Sequence, residues 1–114
     1  MDATNLILLY DYYGDLLTER QKECFELRYN QDLSLGEIGH ELGISRQGVH
    51  DNLSRTEALL QNMEQKTGCV KRDQHCRKVV QTAYDVAVEL KEHADLHVKT
   101  AADRILSAVE GLEE

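Results

Sequence analysis

Arg46, Gln47 and His50 are the side chains of this 114-residue chain whose types and spacing could read a nucleic-acid base edge. An arginine can donate two hydrogen bonds to guanine O6 and N7, and a glutamine can pair with adenine N6 and N7. All three follow Ser45, a good helix N-cap, and no residue from Arg46 to Thr67 breaks a helix before Gly68 stops it. At ~1.5 Å per residue that element would be roughly 33 Å long. Its first turn would project Arg46, Gln47 and His50 outward, as entry into a major groove requires. Asn52 and Arg55 lie further along the same helix and complete the candidate nucleic-acid-binding set.

What must position that turn is written just upstream, in LGEIGHELGISRQGVHDNL over residues 35–53. A helix-turn-helix needs an apolar residue followed by a tiny one in its first helix, so that the second helix can cross close by. It also needs a turn glycine, an apolar residue after it and inward anchors on the second helix. Ile38, Gly39, Leu42, Gly43, Ile44, Val49 and Leu53 fill those roles in order. Ser34 with Glu37 reads as a capping box for the first helix of the pair, and Thr18 with Gln21 as one for the helix before it. From Thr4 to Leu17, Leu6, Leu9, Tyr10, Tyr13 and Leu17 form a helical stripe. Cys69 to Arg72 reads as a linker. Beyond it Cys76, Val80, Ala83, Ala87 and Leu90 form one apolar seam, and Val98, Ala102, Ile105, Val109 and Leu112 form another. The phase slips between Glu92 and Leu96, where Asp95 can cap a new helix, so a helical hairpin is preferred to one long helix.

The composition agrees with helices throughout: no Pro, no Trp, five Tyr and one Phe. A formal charge of −8 argues against a broad basic face. Up to Gly68 the basic residues are Arg20, Lys22, Arg28, Arg46, Arg55 and Lys66, six against twelve acidic ones. From Arg46 to Thr67 the charges cancel, so DNA affinity, which phosphate contacts dominate, must rest on a few arginines. Whether Arg20, Lys22, Arg28, Arg46 and Arg55 converge is the question the sequence leaves to the structure. Three cysteines, no run long enough for a membrane span and no signal-peptide pattern give a reduced, cytoplasmic protein with no membrane association as the expectation.

The segment from Tyr10 to Gly68 resembles the bacterial YlxM family, small helix-turn-helix proteins similar to region 4 of sigma factors. The resemblance rests on Tyr10-Asp11-Tyr12-Tyr13, Leu16-Leu17-Thr18 with Gln21, Asp32-Leu33-Ser34-Leu35 with Glu37-Ile38, Ser45-Arg46-Gln47 with Val49, and Asp51-Asn52 with Arg55. It implies a regulatory or accessory role tied to the signal recognition particle pathway, with DNA or RNA and the particle's GTPase as partners. The chain departs from the family pattern at Gly39 and Gly48, where alanine is usual, and at His50, where tyrosine is usual.

The expected fold is therefore all-α: a sigma-region-4-like helix-turn-helix bundle without a wing over residues 1–68, then a C-terminal helical hairpin over 69–114 for dimerisation or packing. A homodimer suits a DNA reader, since its symmetry pairs two half-sites. The alternative reading is a protein-interaction module that docks on a basic partner such as the targeting GTPase. No enzyme motif, cofactor or metal site is expected. Cys69, His75 and Cys76 lack a zinc spacing and a fourth ligand. Glu89, His93 and His97, four apart, read as a solvated stripe. Tyr10 and Tyr13 read as core residues with wet hydroxyls, and Tyr12 as a surface residue open to a partner.

Overall fold

Each of the first four helices begins on a side chain that satisfies its free backbone N–H groups. In the computed structural model, which describes residues 2–112, Asp2 accepts from Asn5 N at 2.9 Å to start α1 (Ala3–Tyr13). Thr18 and Gln21 close a capping box on α2 (Glu19–Tyr29), and Ser34 and Glu37 close another on α3 (Leu35–Leu42). Ser45 Oγ accepts from Gly48 N at 2.9 Å to start α4 (Arg46–Thr67). The Ser34 hydrogen bonds hold the Glu37 carboxyl below the usual carboxylate range. Then follow α5 (Cys69–Lys91) and α6 (Leu96–Leu112), and no strand occurs among the described residues.

The chain divides into two compact units, one reaching Val70 and one starting at Lys71. In the first, α1, α2 and α3 all pack against α4. Leu6, Leu9, Tyr13, Leu17, Phe25, Leu60 and Val70 form one buried cluster; Cys24, Ile38, Val49 and Leu53 form the other. Phe25 is fully buried, with Tyr10 stacked on it at 4.4 Å and Tyr29 tilted against it at 4.5 Å. The hydroxyls of these tyrosines reach carboxylates at the rim: Tyr10 donates to Glu26 and Tyr29 to Glu57. Burial, then these bonds, push both phenols up to about 12.

Several expectations shift. The stripe to Leu17 is not one helix: α1 ends at Tyr13 and tightens into a 3-10 turn over Gly14–Leu16, with Leu17 extended. Leu17 still reaches the core, so the spacing was right about the face and wrong about the backbone. Cys69 to Arg72 is not a linker either. Gly68, at φ +63, ends α4 and α5 begins at the next residue, because Val70 is buried in the core and its N–H is held by Glu64 Oε1 at 3.0 Å. Cys76, placed in an apolar seam by its spacing, is exposed.

The second unit is the hairpin of α5 and α6. Asp95 Oδ1 accepts from His97 N at 2.8 Å to start α6, and Lys91 pairs with Asp103 at 3.5 Å across the turn. Ala87, Ala102 and Val109 are its buried apolar residues, while Val79, Val86, Val88, Leu90, Leu96, Ile105 and Leu112 stay exposed. Because α5 stops at Lys91, Glu89, His93 and His97 do not share one helical face. No three His, Cys, Asp or Glu residues come together to hold a metal among the described residues.

Candidate nucleic-acid interface

In this chain the crossing of α3 and α4 closes tightly on Gly39. It is buried, and a Cβ there would lie 2.7 Å from the Ile44 carbonyl oxygen. Ile44 N donates to Gly39 O at 3.0 Å, so the chain after the turn lies directly on the first helix. Gly43 takes φ +69, the left-handed conformation that glycine adopts without a Cβ clash. Ile38 and Val49 are fully buried on either side, and Leu53 follows one turn later. The start of α4 is therefore set rigidly, with Ser45 capping it.

Arg46, Gln47 and His50 are all exposed on the first turns of α4. Asp51 draws two of them together: Gln47 Nε2 donates to its Oδ1 at 2.9 Å, and His50 Nδ1 lies 3.6 Å from the same oxygen. Asn52 is half-buried, and its backbone carbonyl accepts from the Thr56 hydroxyl at 2.9 Å. Arg55 is exposed one turn further on.

The arginines converge in part. Thr18, Arg20 and Gln21, at the start of α2, share a shallow groove with Gly48, Asp51, Asn52 and Arg55 of α4. Arg20 Nη1 also lies 3.4 Å from Leu42 O, at the end of α3. Two guanidinium groups from different helices thus flank a groove that runs from the α2 N-terminus onto the exposed side of α4. Lys22 turns elsewhere, 4.0 Å from Asp15 and 3.6 Å from Glu19. Arg28 is spent on Leu33 O at 3.0 Å. Thr18 and Gln21 were legible only as a cap; nothing in the local sequence places that cap beside Arg55, because the pairing comes from α2 packing on α4.

The remaining candidates have structural roles. Tyr13 is buried with its hydroxyl bonded to Glu64 and Thr67; burial, then the Glu64 bond, raises its titration above the ordinary phenol range. Burial likewise pushes the Cys24 thiol up, leaving it unreactive inside the second cluster.

A tight glycine crossing, a left-handed turn and a capped, exposed second helix define a helix-turn-helix protein of the all-α class. A family profile described as "Putative helix-turn-helix protein, YlxM / p13 like" matches residues 1–100, and the chain belongs to that family, UPF0122. Among its relatives, a UPF0122 protein of Thermoanaerobacter sp. (strain X514) is 56% identical over 73 residues, 64% of this chain. The match spans 62% of that relative's length. One of Caldanaerobacter subterraneus is 50% identical over 80 residues, 70% of this chain and 68% of the relative. One of Bacillus cereus (strain AH187) is 36% identical over 111 residues, 97% of this chain and 96% of the relative.

Proposed function

We infer that this protein is a cytoplasmic, non-enzymatic accessory factor that binds nucleic acid through the start of α4. The observation that carries the reading is the groove that Arg20 and Arg55 both line, beside the exposed Arg46, Gln47 and His50. Arg20 and Arg55 are placed to grip backbone phosphates, which fix register. Arg46 and Gln47 carry the base-reading chemistry. Duplex DNA is favoured over duplex RNA, because the major groove of A-form RNA is too narrow for a helix to enter. The family resemblance makes the RNA of the signal recognition particle the second nucleic acid to test.

Three arginines at the interface give a specific expectation. The logarithm of the affinity for duplex DNA falls with the logarithm of salt at a slope of about −3. A titration at several salt concentrations measures it, and a flat response removes the nucleic-acid reading. The acidity of the first unit supports a second reading, docking on a basic protein such as the particle's GTPase; salt-dependent binding to that protein with none to DNA or RNA would select it.

The reading includes a homodimer through the hairpin. A two-helix unit from Lys71 onward with three buried apolar residues is below the size at which a domain buries enough surface alone. Val79, Val86 and Ile105 offer the missing surface to a second copy. Sedimentation of the full chain is expected to show a dimer, and Val86→Glu with Ile105→Glu to yield a monomer. An unchanged sedimentation coefficient in the double variant would put the contact elsewhere.

A further inference from the structure

Among the described residues of the first unit, Tyr12 and Leu16 are the exposed large apolar side chains, and they are close in sequence. Tyr12 is 36% exposed at the end of α1, and Leu16 is 70% exposed on the 3-10 turn that follows. With Leu8, half-buried at the edge of the core, they recur every fourth residue. Asp11, Asp15 and Glu19 recur at the same interval, one position before or three after, and all three are exposed. Exposed carboxylates and exposed apolar side chains thus fall close together in the chain, through the end of α1, the 3-10 turn and the start of α2. No Lys or Arg occurs before Arg20. Glu23 and Glu26 extend the acidity along α2, on the side away from the buried Cys24 and Phe25. Lys22, within 4.0 Å of both Asp15 and Glu19, ties the carboxylates of the turn and of α2 into one cluster.

We propose that this face, Tyr12 and Leu16 bordered by Asp11, Asp15 and Glu19, is a docking surface for a basic amphipathic helix of a partner protein. Charge decides among the occupants. Nucleic acid is repelled by the carboxylates, and a second copy would bring the same carboxylates against each other. A helix with apolar residues on one stripe and Lys or Arg beside it offers partners to both the apolar side chains and the carboxylates. The surface extends the protein-docking reading by giving it a location, and it is made of different residues from the Arg20–Arg55 groove, so the DNA-binding reading does not depend on it.

The test is a titration of the full-length, isotope-labelled protein with a short helical leucine–lysine peptide whose leucines lie on one face, followed by amide NMR shifts. Shifts centred on Tyr12, Asp15, Leu16 and Glu19, absent with the leucine–glutamate counterpart, are the expected result. Leu16→Ser removes an exposed side chain, so the fold is kept, and it weakens binding about tenfold. Asp15→Asn with Glu19→Gln flattens the salt dependence. The proposal is overturned if the shifts centre on the exposed valines of α5 or on Arg46 and Gln47, which locates docking elsewhere. It is also overturned if Leu16→Ser binds as the parent does, or if no peptide binds at millimolar concentration. A Leu16→Ser chain that loses a dimer in the absence of peptide would show that a second copy covers this face, and would overturn it too.

Discussion

Phe25→Ala is expected to cost about 3–5 kcal/mol, the range for removing a fully buried aromatic side chain. Phe25 is 0% exposed and is the only phenylalanine of the chain. It supports two further rings, Tyr10 at 4.4 Å and Tyr29 at 4.5 Å, so its loss leaves a cavity with polar-tipped side chains on its walls. Those rings are held at their far ends by Glu26 and Glu57 and are not free to collapse inward. For a small domain whose total stability is of order 5–15 kcal/mol, this change removes a large share. Urea unfolding followed by circular dichroism checks it. A loss below about 1 kcal/mol would mean that the α1–α2–α4 core is not packed around this ring.

Gly39→Ala is expected to destabilise by about 1–2 kcal/mol, although alanine is the better helix former. In a free helix the exchange would gain up to about 1 kcal/mol. Here the new Cβ would meet the Ile44 carbonyl oxygen at 2.7 Å, and Arg46 N lies 3.5 Å away. Overpacking of this kind costs about 1–3 kcal/mol, and the oxygen that the Cβ meets belongs to backbone that cannot rotate aside. The movement that relieves the clash pushes Ile44 and Ser45 outward and tilts the first turn of α4, so nucleic-acid affinity should fall together with stability. Thermal melts paired with a DNA titration test both halves. Gly43 contrasts with it: open space surrounds its Cβ position, and its requirement is the φ of +69 alone.

The sequence made some features legible and hid others, for reasons that follow from range. Caps are local: Thr18 with Gln21, Ser34 with Glu37, and Ser45 could be read from residues three apart, and each forms as expected. The helix-turn-helix was legible because Gly39, Gly43 and Val49 are fixed by one crossing. The 3-10 turn at Gly14–Leu16 was not, because a stripe of apolar spacing reports a face and not the pitch of the backbone. The start of α5 at Cys69 was hidden by a side-chain bond, from Val70 N to Glu64, and by burial of Val70 in the core cluster. The same limit applies to the interface. Arg46, Gln47 and His50 announced themselves by following a cap, whereas the groove shared by Arg20 and Arg55 depends on how α2 rests on α4.

The charge of −8 is also divided more sharply in space than along the chain. Carboxylates gather on α1, the 3-10 turn and the outer side of α2, while the groove at the start of α4 holds Arg20 and Arg55 with one carboxylate, Asp51, which Gln47 and His50 face. An acidic protein can thus present a small cationic interface, provided its affinity rests on a few contacts and declines with salt.

The most direct test of the central claim is a titration of fluorescent duplex DNA with the parent protein and with the Arg46→Ala, Arg55→Ala double variant, at two salt concentrations. Both arginines are exposed, so the fold is retained. The account predicts an affinity lower by at least about tenfold and a salt slope reduced by about two. Equal affinity and equal slope for the two proteins would contradict it.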